Sequence, residues 1–226
     1  MTTPPVDPSG QFAEQAQGRM GAFEELLKGL PGIKGYVDKE TRRTADKKLR
    51  TLMADQLDRQ KRRLLDVQNQ LLNSGGLTSV GETDRIVTRL QTLSDRIRTA
   101  SYGYAGLFDA AKVQENELAA LHRFDVAMAE RIEEISEEID ALSTVVSGGG
   151  PVADAVNQLA NTVNELDALY DKRSEAVLSP DLLMGKNYAP QVEADVLETA
   201  DRLAAAGDAL PESTATDDAT DVTAGE

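Results

Sequence analysis

Six carboxylates fall within eleven residues, at Glu130, Glu133, Glu134, Glu137, Glu138 and Asp140, a density of oxygen ligands that could hold a metal ion. Carboxylate-bridged di-iron bundles also require a Glu-x-x-His pair from each of two facing helices. The chain has one histidine, His122, and the residue three positions before it is Ala119. The cluster is therefore expected to be a solvated face opposite Ile132, Ile135 and Ile139, holding no metal and no other cofactor. With no cysteine, thiolate zinc sites, disulfides and cysteine nucleophiles are excluded together. Gly148-Gly149-Gly150-Pro151 lacks the Lys-Ser or Lys-Thr of a phosphate-cradling loop, and no G-x-S-x-G elbow is present to hold a catalytic serine. The expectation is a protein without an active site.

Positive charge is more suggestive. Arg42, Arg43, Lys47, Lys48 and Arg50, followed by Arg59, Lys61, Arg62 and Arg63, form a basic stripe suited to an anionic partner. Nucleic acid is disfavoured, because the isoelectric point is near 4.5 and no aromatic platform adjoins the stripe. An anionic membrane surface is one alternative. Pairing with the chain's own acidic half is another: residues 1–100 carry 17 Lys and Arg against 13 Asp and Glu, whereas residues 101–226 carry 7 against 26. The net charge of -15, with nine lysines, would also suit a high-salt cytoplasm.

The elements that must position these groups read as helices. Aromatic residues make up 4% of the 226 residues and tryptophan is absent, which disfavours β-rich classes. No apolar run reaches a membrane-span length and MTTPPVDPSG lacks signal-peptide features, so the expected location is cytoplasmic, with a membrane-peripheral alternative. Residues 1–10 and 207–226 are too poor in apolar side chains to offset chain entropy and are expected to be disordered, the latter as an acidic tail. Segment 11–30 forms an amphipathic helix whose face of Phe12, Met20, Phe23 and Leu27 could insert into a membrane.

Residues 31–178 are expected to form the helical bundle, and 179–206 a linker and C-terminal helix. Pro31-Gly32, Gly75-Gly76, Gly148-Gly149-Gly150-Pro151 and Ser179-Pro180 punctuate the chain. Segment 38–73 is one long helix. Ser79 with Glu82 has the spacing of a capping box that starts the next. Pro151 takes a favoured first position before 152–178. A last helix, about 191–206, carries Val192, Val196, Leu197 and Leu203 and stops at Gly207.

From Ile86 to Val146 the apolar positions keep one seven-residue frame, broken only at Gln114 and Asp125. Two layouts fit. In one, Gly103 and Gly106 break the helix and the chain folds as a four-helix antiparallel bundle. In the other, 80–146 is a single rod, with 38–73 and 152–178 folded back on its two halves. Either gives an all-α, elongated antiparallel bundle with coiled-coil-like seams.

Leu30-Pro31-Gly32-Ile33-Lys34-Gly35-Tyr36, running into Lys39-Glu40-Thr41-Arg42-Arg43 and Ala45-Asp46-Lys47, resembles a family of uncharacterised bacterial and archaeal all-helical proteins. Ser101-Tyr102-Gly103-Tyr104-Ala105-Gly106-Leu107-Phe108-Asp109 adds to that resemblance, which spans residues 25–145 and implies a helical fold but no particular activity. In layout alone, the N-terminal amphipathic helix, basic long helix and acidic second half resemble phage-shock-protein-A and ESCRT-III proteins. The leading expectation is a non-enzymatic scaffold or adaptor that binds a protein partner or a second copy of itself. The alternative is a peripheral membrane-remodelling or stress protein. An unrecognised enzyme would show a polar pocket around Tyr36, Tyr102, Tyr104 and His122.

Overall fold

A computed structural model describes residues 26, 39–74, 77–100, 115–184 and 188–207. Five α-helices carry nearly all of them: α1 (Lys39–Ser74), α2 (Leu77–Thr99), α3 (Glu115–Ser147), α4 (Ala153–Leu178) and α5 (Ala194–Gly207). A 3-10 turn, Pro180–Met184, follows α4. No strand occurs among the described residues. The expected disordered ends, except Gly207 at the end of α5, and the membrane face of Phe12, Met20, Phe23 and Leu27 lie outside the described residues. So do most residues of the two segments that carry the family resemblance.

The helices begin and end close to the sequence breakers, with two corrections at their starts. α2 begins at Leu77, so Ser79 is inside the helix rather than capping it, and its carbonyl accepts from Thr83 Oγ1 at 3.0 Å. Pro151 lies before α4, whose N-cap is Val152 and whose first backbone bond runs from Val156 N to Val152 O at 3.0 Å. Neither helix needs the predicted cap, because helical stability here comes from the packed apolar stripe.

Contacts fix the arrangement. α1 and α2 run antiparallel, with Arg50 meeting Ala100 at one level and Gln68 meeting Val80 at another. α3 and α4 do the same, with Asp125 meeting Arg173 and Glu138 meeting Thr162. The two hairpins pack side by side, α1 against α3 and α2 against α4. Near Ile86, α2 faces Val156 and Val163; further on, Thr92 and Leu93 face Asp167. Both sets of numbers rise together, so α2 and α4 are parallel, and hence α1 and α3 are parallel too. The order around the bundle is α1, α2, α4, α3, which puts the consecutive helices α2 and α3 at opposite corners.

This rules out the single rod. A rod would lay α1 along α2 and α4 along α3 with no lateral contact between the two pairs, yet Arg63 of α1 bonds Ser136 of α3. The core joins all the helices. Leu49, Met53, Leu57, Leu64, Leu71, Leu90, Leu93, Ile135, Ile139, Leu159 and Leu166 are at most 1% exposed, as heptad-like seams require. Leu26 is 1% exposed in the same core. A second, smaller cluster of Ala120, Leu121, Phe124, Ala176, Val177 and Leu183 closes the end where the 3-10 turn packs on α3 and α4.

Candidate functional site

The predicted basic stripe divides. Arg50 is 7% exposed and points inward, its guanidinium donating to the carbonyls of Ile97 at 3.3 Å and Ala100 at 2.7 Å. The last carbonyls of a helix lack intrahelical partners and carry the negative end of its dipole, so a cation from the neighbouring helix satisfies both needs. Arg63 crosses to α3, donating to Ser136 Oγ at 2.8 Å and pairing with Asp140. Lys61 turns to α2, 3.2 Å from Asp58 and bonded to Gln91. Lys47, Lys48, Arg59 and Arg62 stay exposed along the outside of α1. Arg42 and Arg43 belong to its first turns, and their side chains lie outside the described residues.

The α1–α2 and α2–α4 seams are latched by ion pairs the sequence did not single out. Arg98 donates to Asp55 at 2.9 Å and Asp58 at 2.8 Å. Burial pulls the Asp58 carboxyl upward, but hydrogen bonds from Arg98, Lys61 and Ser94 outweigh it and hold its pKa below the ordinary aspartate value. Arg96 reaches Asp167 and Asp171 of α4 and lies 5.2 Å from the centre of the Tyr170 ring, whose hydroxyl donates to the Arg96 carbonyl at 3.1 Å.

The acidic cluster on α3 is not the uniformly solvated face that its spacing suggests. Glu137 is exposed, and Glu130, Glu133, Glu134 and Asp140 are half-buried. Glu138 is 7% exposed in the α3–α4 interface, where Thr162 Oγ1 donates to Oε1 at 2.9 Å and Oε2 has no partner among the described residues. Burial pushes its carboxyl above the ordinary glutamate value; the Thr162 hydroxyl and the Gln158 side chain oppose that, and Glu134 and Glu165 reinforce it. The face curls inward because α3 is covered by α1 and α4 and, over its first half, by the 3-10 turn and α5 as well.

His122 lies on that first half with its ring buried, Nε2 3.2 Å from Asp201 Oδ1 of α5 and neither ring nitrogen in an aligned hydrogen bond. Eight residues along, Glu130 is half-buried beside Asp195 and Glu193 at the start of α5. Burial raises its pKa; Arg131 opposes that, while Asp195, Glu134 and Glu193 add to it. Of the residues named for an enzyme's polar pocket, His122 is buried and Tyr36, Tyr102 and Tyr104 lie outside the described residues. No group of three or more His, Asp or Glu side chains among the described residues could hold a metal ion. No described helix is long and apolar enough to cross a membrane.

Among the described residues, the seam between α2 and α4 is open to solvent. Beyond the Arg96 latch it widens into a groove of about 370 Å³, with Ile86, Val156 and Val163 at its floor, Asn157 and Ala160 on the α4 rim, and Glu82, Arg85 and Arg89 on the α2 rim. The same two arginines line an adjoining hollow with Asp84, Thr88, Thr92, Leu93 and Asp167. Both are exposed, and no described carboxylate forms an ion pair with either. Sequence reasoning passed over them because its attention was on the denser stripe of α1. The signal was present as two arginines four residues apart, a like-charge spacing that costs an isolated helix stability.

No protein-family model matches the chain, and no curated protein or solved structure matches it either.

Proposed function

We propose that this protein is a non-enzymatic helical scaffold or adaptor that receives a protein partner in the α2–α4 groove. The observation that carries the reading is the contrast between the bundle's two kinds of polar residue. Buried Arg50, Asp125 and Arg173, half-buried Arg63 and exposed Arg96 and Arg98 are all engaged in holding helix to helix. By contrast, Arg85 and Arg89 stand with Glu82 beside an apolar floor, and neither arginine forms an ion pair with a described residue. Interfaces combine a desolvated apolar centre with charged groups at the rim, which is the composition found here. Burial of Leu26 in the core favours this reading over membrane insertion of the N-terminal segment.

A photo-crosslinking residue placed at Ala160 in cells making the full chain tests the proposal, with one at exposed Asp66 on α1 as control. A discrete adduct at Ala160 and not at Asp66 is expected. Indistinguishable labelling at the two positions removes the groove as an interface. Flotation with anionic vesicles addresses the membrane alternative directly.

A further inference from the structure

We infer that α5 is a salt-dependent cover on the first half of α3, held closed where salt screens its carboxylates and loosened where it does not. Two contacts fix how it lies. Asp201 Oδ1 stands 3.2 Å from His122 Nε2, and Asp195 and Glu193 lie beside Glu130, so α5 runs antiparallel to α3. Val126 and Ala129, 0% and 0% exposed, share the face of α3 between those points. None of these residues lines the α2–α4 groove.

The attachment is thin. Among the described side chains of α5 only Ala200 is buried, while Val196, Leu197 and Leu203 pack on the core half-buried. Apolar stabilisation scales with the area removed from water, so half-buried side chains contribute only part of what a seam leucine gives. Beneath α5 the His122 ring is buried with neither nitrogen in a hydrogen bond, which costs free energy in the closed state. Such an element belongs to the low-stability end of a fold and opens before the rest.

Charge opposes the closed state. α3 carries nine Asp and Glu against two Arg, and α5 three against one. Arg131 of α3 turns to Glu134 and Glu165, and neither Arg123 nor Arg202 forms an ion pair with a described residue. Glu130 meets Glu193 and Asp195 as like charges; burial raises its carboxyl pKa, and this crowding together with Glu134 adds to the rise against the pull of Arg131. Repulsion between such partly exposed groups is screened over about 10 Å at about 0.1 M salt and about 3 Å at about 1 M, whereas apolar attachment does not weaken with salt. Raising salt removes the opposing force and leaves the attraction, so the cover closes.

Hydrogen exchange of the purified full chain, followed by mass spectrometry at about pH 8 in about 0.05 and about 1 M KCl, tests the cover, with α4 as internal reference. Protection of α5 is expected to rise about fivefold more than that of α4, which reports any salt effect common to the whole fold. Glu130→Gln removes the charge that α5 meets and leaves the sequence of α5 unchanged. It should raise α5 protection in low salt and flatten the salt dependence. Glu137→Gln, at an exposed position further along α3, should do neither. Protection of α5 that falls with salt, that only follows α4, or that responds equally to Glu130→Gln and Glu137→Gln overturns the salt-dependent cover.

Discussion

Asp125 and Arg173 stand equidistant from Gly149, 24 residues to either side, and meet across the α3–α4 interface with Arg173 Nε donating to Asp125 Oδ1 at 2.5 Å. Their side chains are 0% and 5% exposed. Asp125 is one of the two polar breaks in the seven-residue frame, and Arg173 occupies the corresponding seam position of α4 between Tyr170 and Val177. The hairpin register places one exception opposite the other. A slip of one helical turn would strand two buried charges.

Removing one partner leaves the other charged in a dry interface, so Asp125→Ala and Arg173→Ala should each lose about 3–5 kcal/mol in urea unfolding. Replacing both together with Leu and Met should recover most of that loss, since the desolvation cost disappears with the attraction. A double variant as unstable as the worse single one would mean that the pair's other contacts, rather than its mutual charge, dominate.

The pairing shows how far the sequence could be read. The seam positions, the hairpin turn at Gly148–Gly150, the helices α1, α4 and α5 and the helical character of 80–146 were legible, because apolar spacing and glycine punctuation are local properties; that 80–146 holds two helices was not. The choice between rod and bundle was not. A seven-residue frame states which face of a helix is buried but not what buries it, and the frame runs from Leu93 to Met128 without slipping although α2 and α3 occupy opposite corners. The site was less legible still. Arg50, Lys61 and Arg63 looked like members of a surface stripe, and only the neighbouring helices turn them into interhelical contacts. Glu138 looked solvated among other glutamates, and only the position of α4 buries it.

Arg50 illustrates what that conversion is worth. It is the cation at the end of α2, bonding the carbonyls of Ile97 and Ala100. Arg50→Ala should therefore cost about 1.5–3 kcal/mol, the range for hydrogen bonds involving a charged group. Amide hydrogen exchange should accelerate most in the last turn of α2. Arg50→Lys keeps the charge but loses the planar fork that reaches two carbonyls, and should recover part of the loss. Uniformly faster exchange across all helices would point to general core disruption instead.

Two glycines should respond in opposite senses to the same substitution. Gly81 lies in α2 with nothing within 4 Å of an added Cβ, so Gly81→Ala should stabilise by about 0.5–1 kcal/mol by restricting the unfolded chain. Gly149 has φ of 68°, in the left-handed region, and there open space does not help: Gly149→Ala should cost about 1–2 kcal/mol. Gly149→Asn should cost less. Thermal melts of the three variants settle the comparison, and a stabilised Gly149→Ala would contradict the turn geometry.

Glu138 gives the bundle a pH dependence whose sign can be fixed. Its carboxyl pKa is raised in the folded state above the ordinary glutamate value of 4.5, so the folded protein holds its proton more tightly than the unfolded chain does. The favourable contribution is fully present below about pH 4.5 and is lost as pH rises through the folded value, leaving a buried charge at neutral pH. Glu138→Gln keeps the carbonyl that accepts from Thr162 and removes the charge. It should stabilise the protein by about 1 kcal/mol at pH 7, and by progressively less as pH falls toward 4.5. Asp58 runs the other way: its pKa is lowered, so its contribution is present at neutral pH and is lost as pH falls through the folded value, below 3.8. Asp58→Asn should accordingly destabilise at pH 7 and converge with the wild type only in strong acid. Urea unfolding of both variants across that range distinguishes the two carboxylates, and a Glu138→Gln effect independent of pH would show that packing, not ionisation, sets the energy of that site.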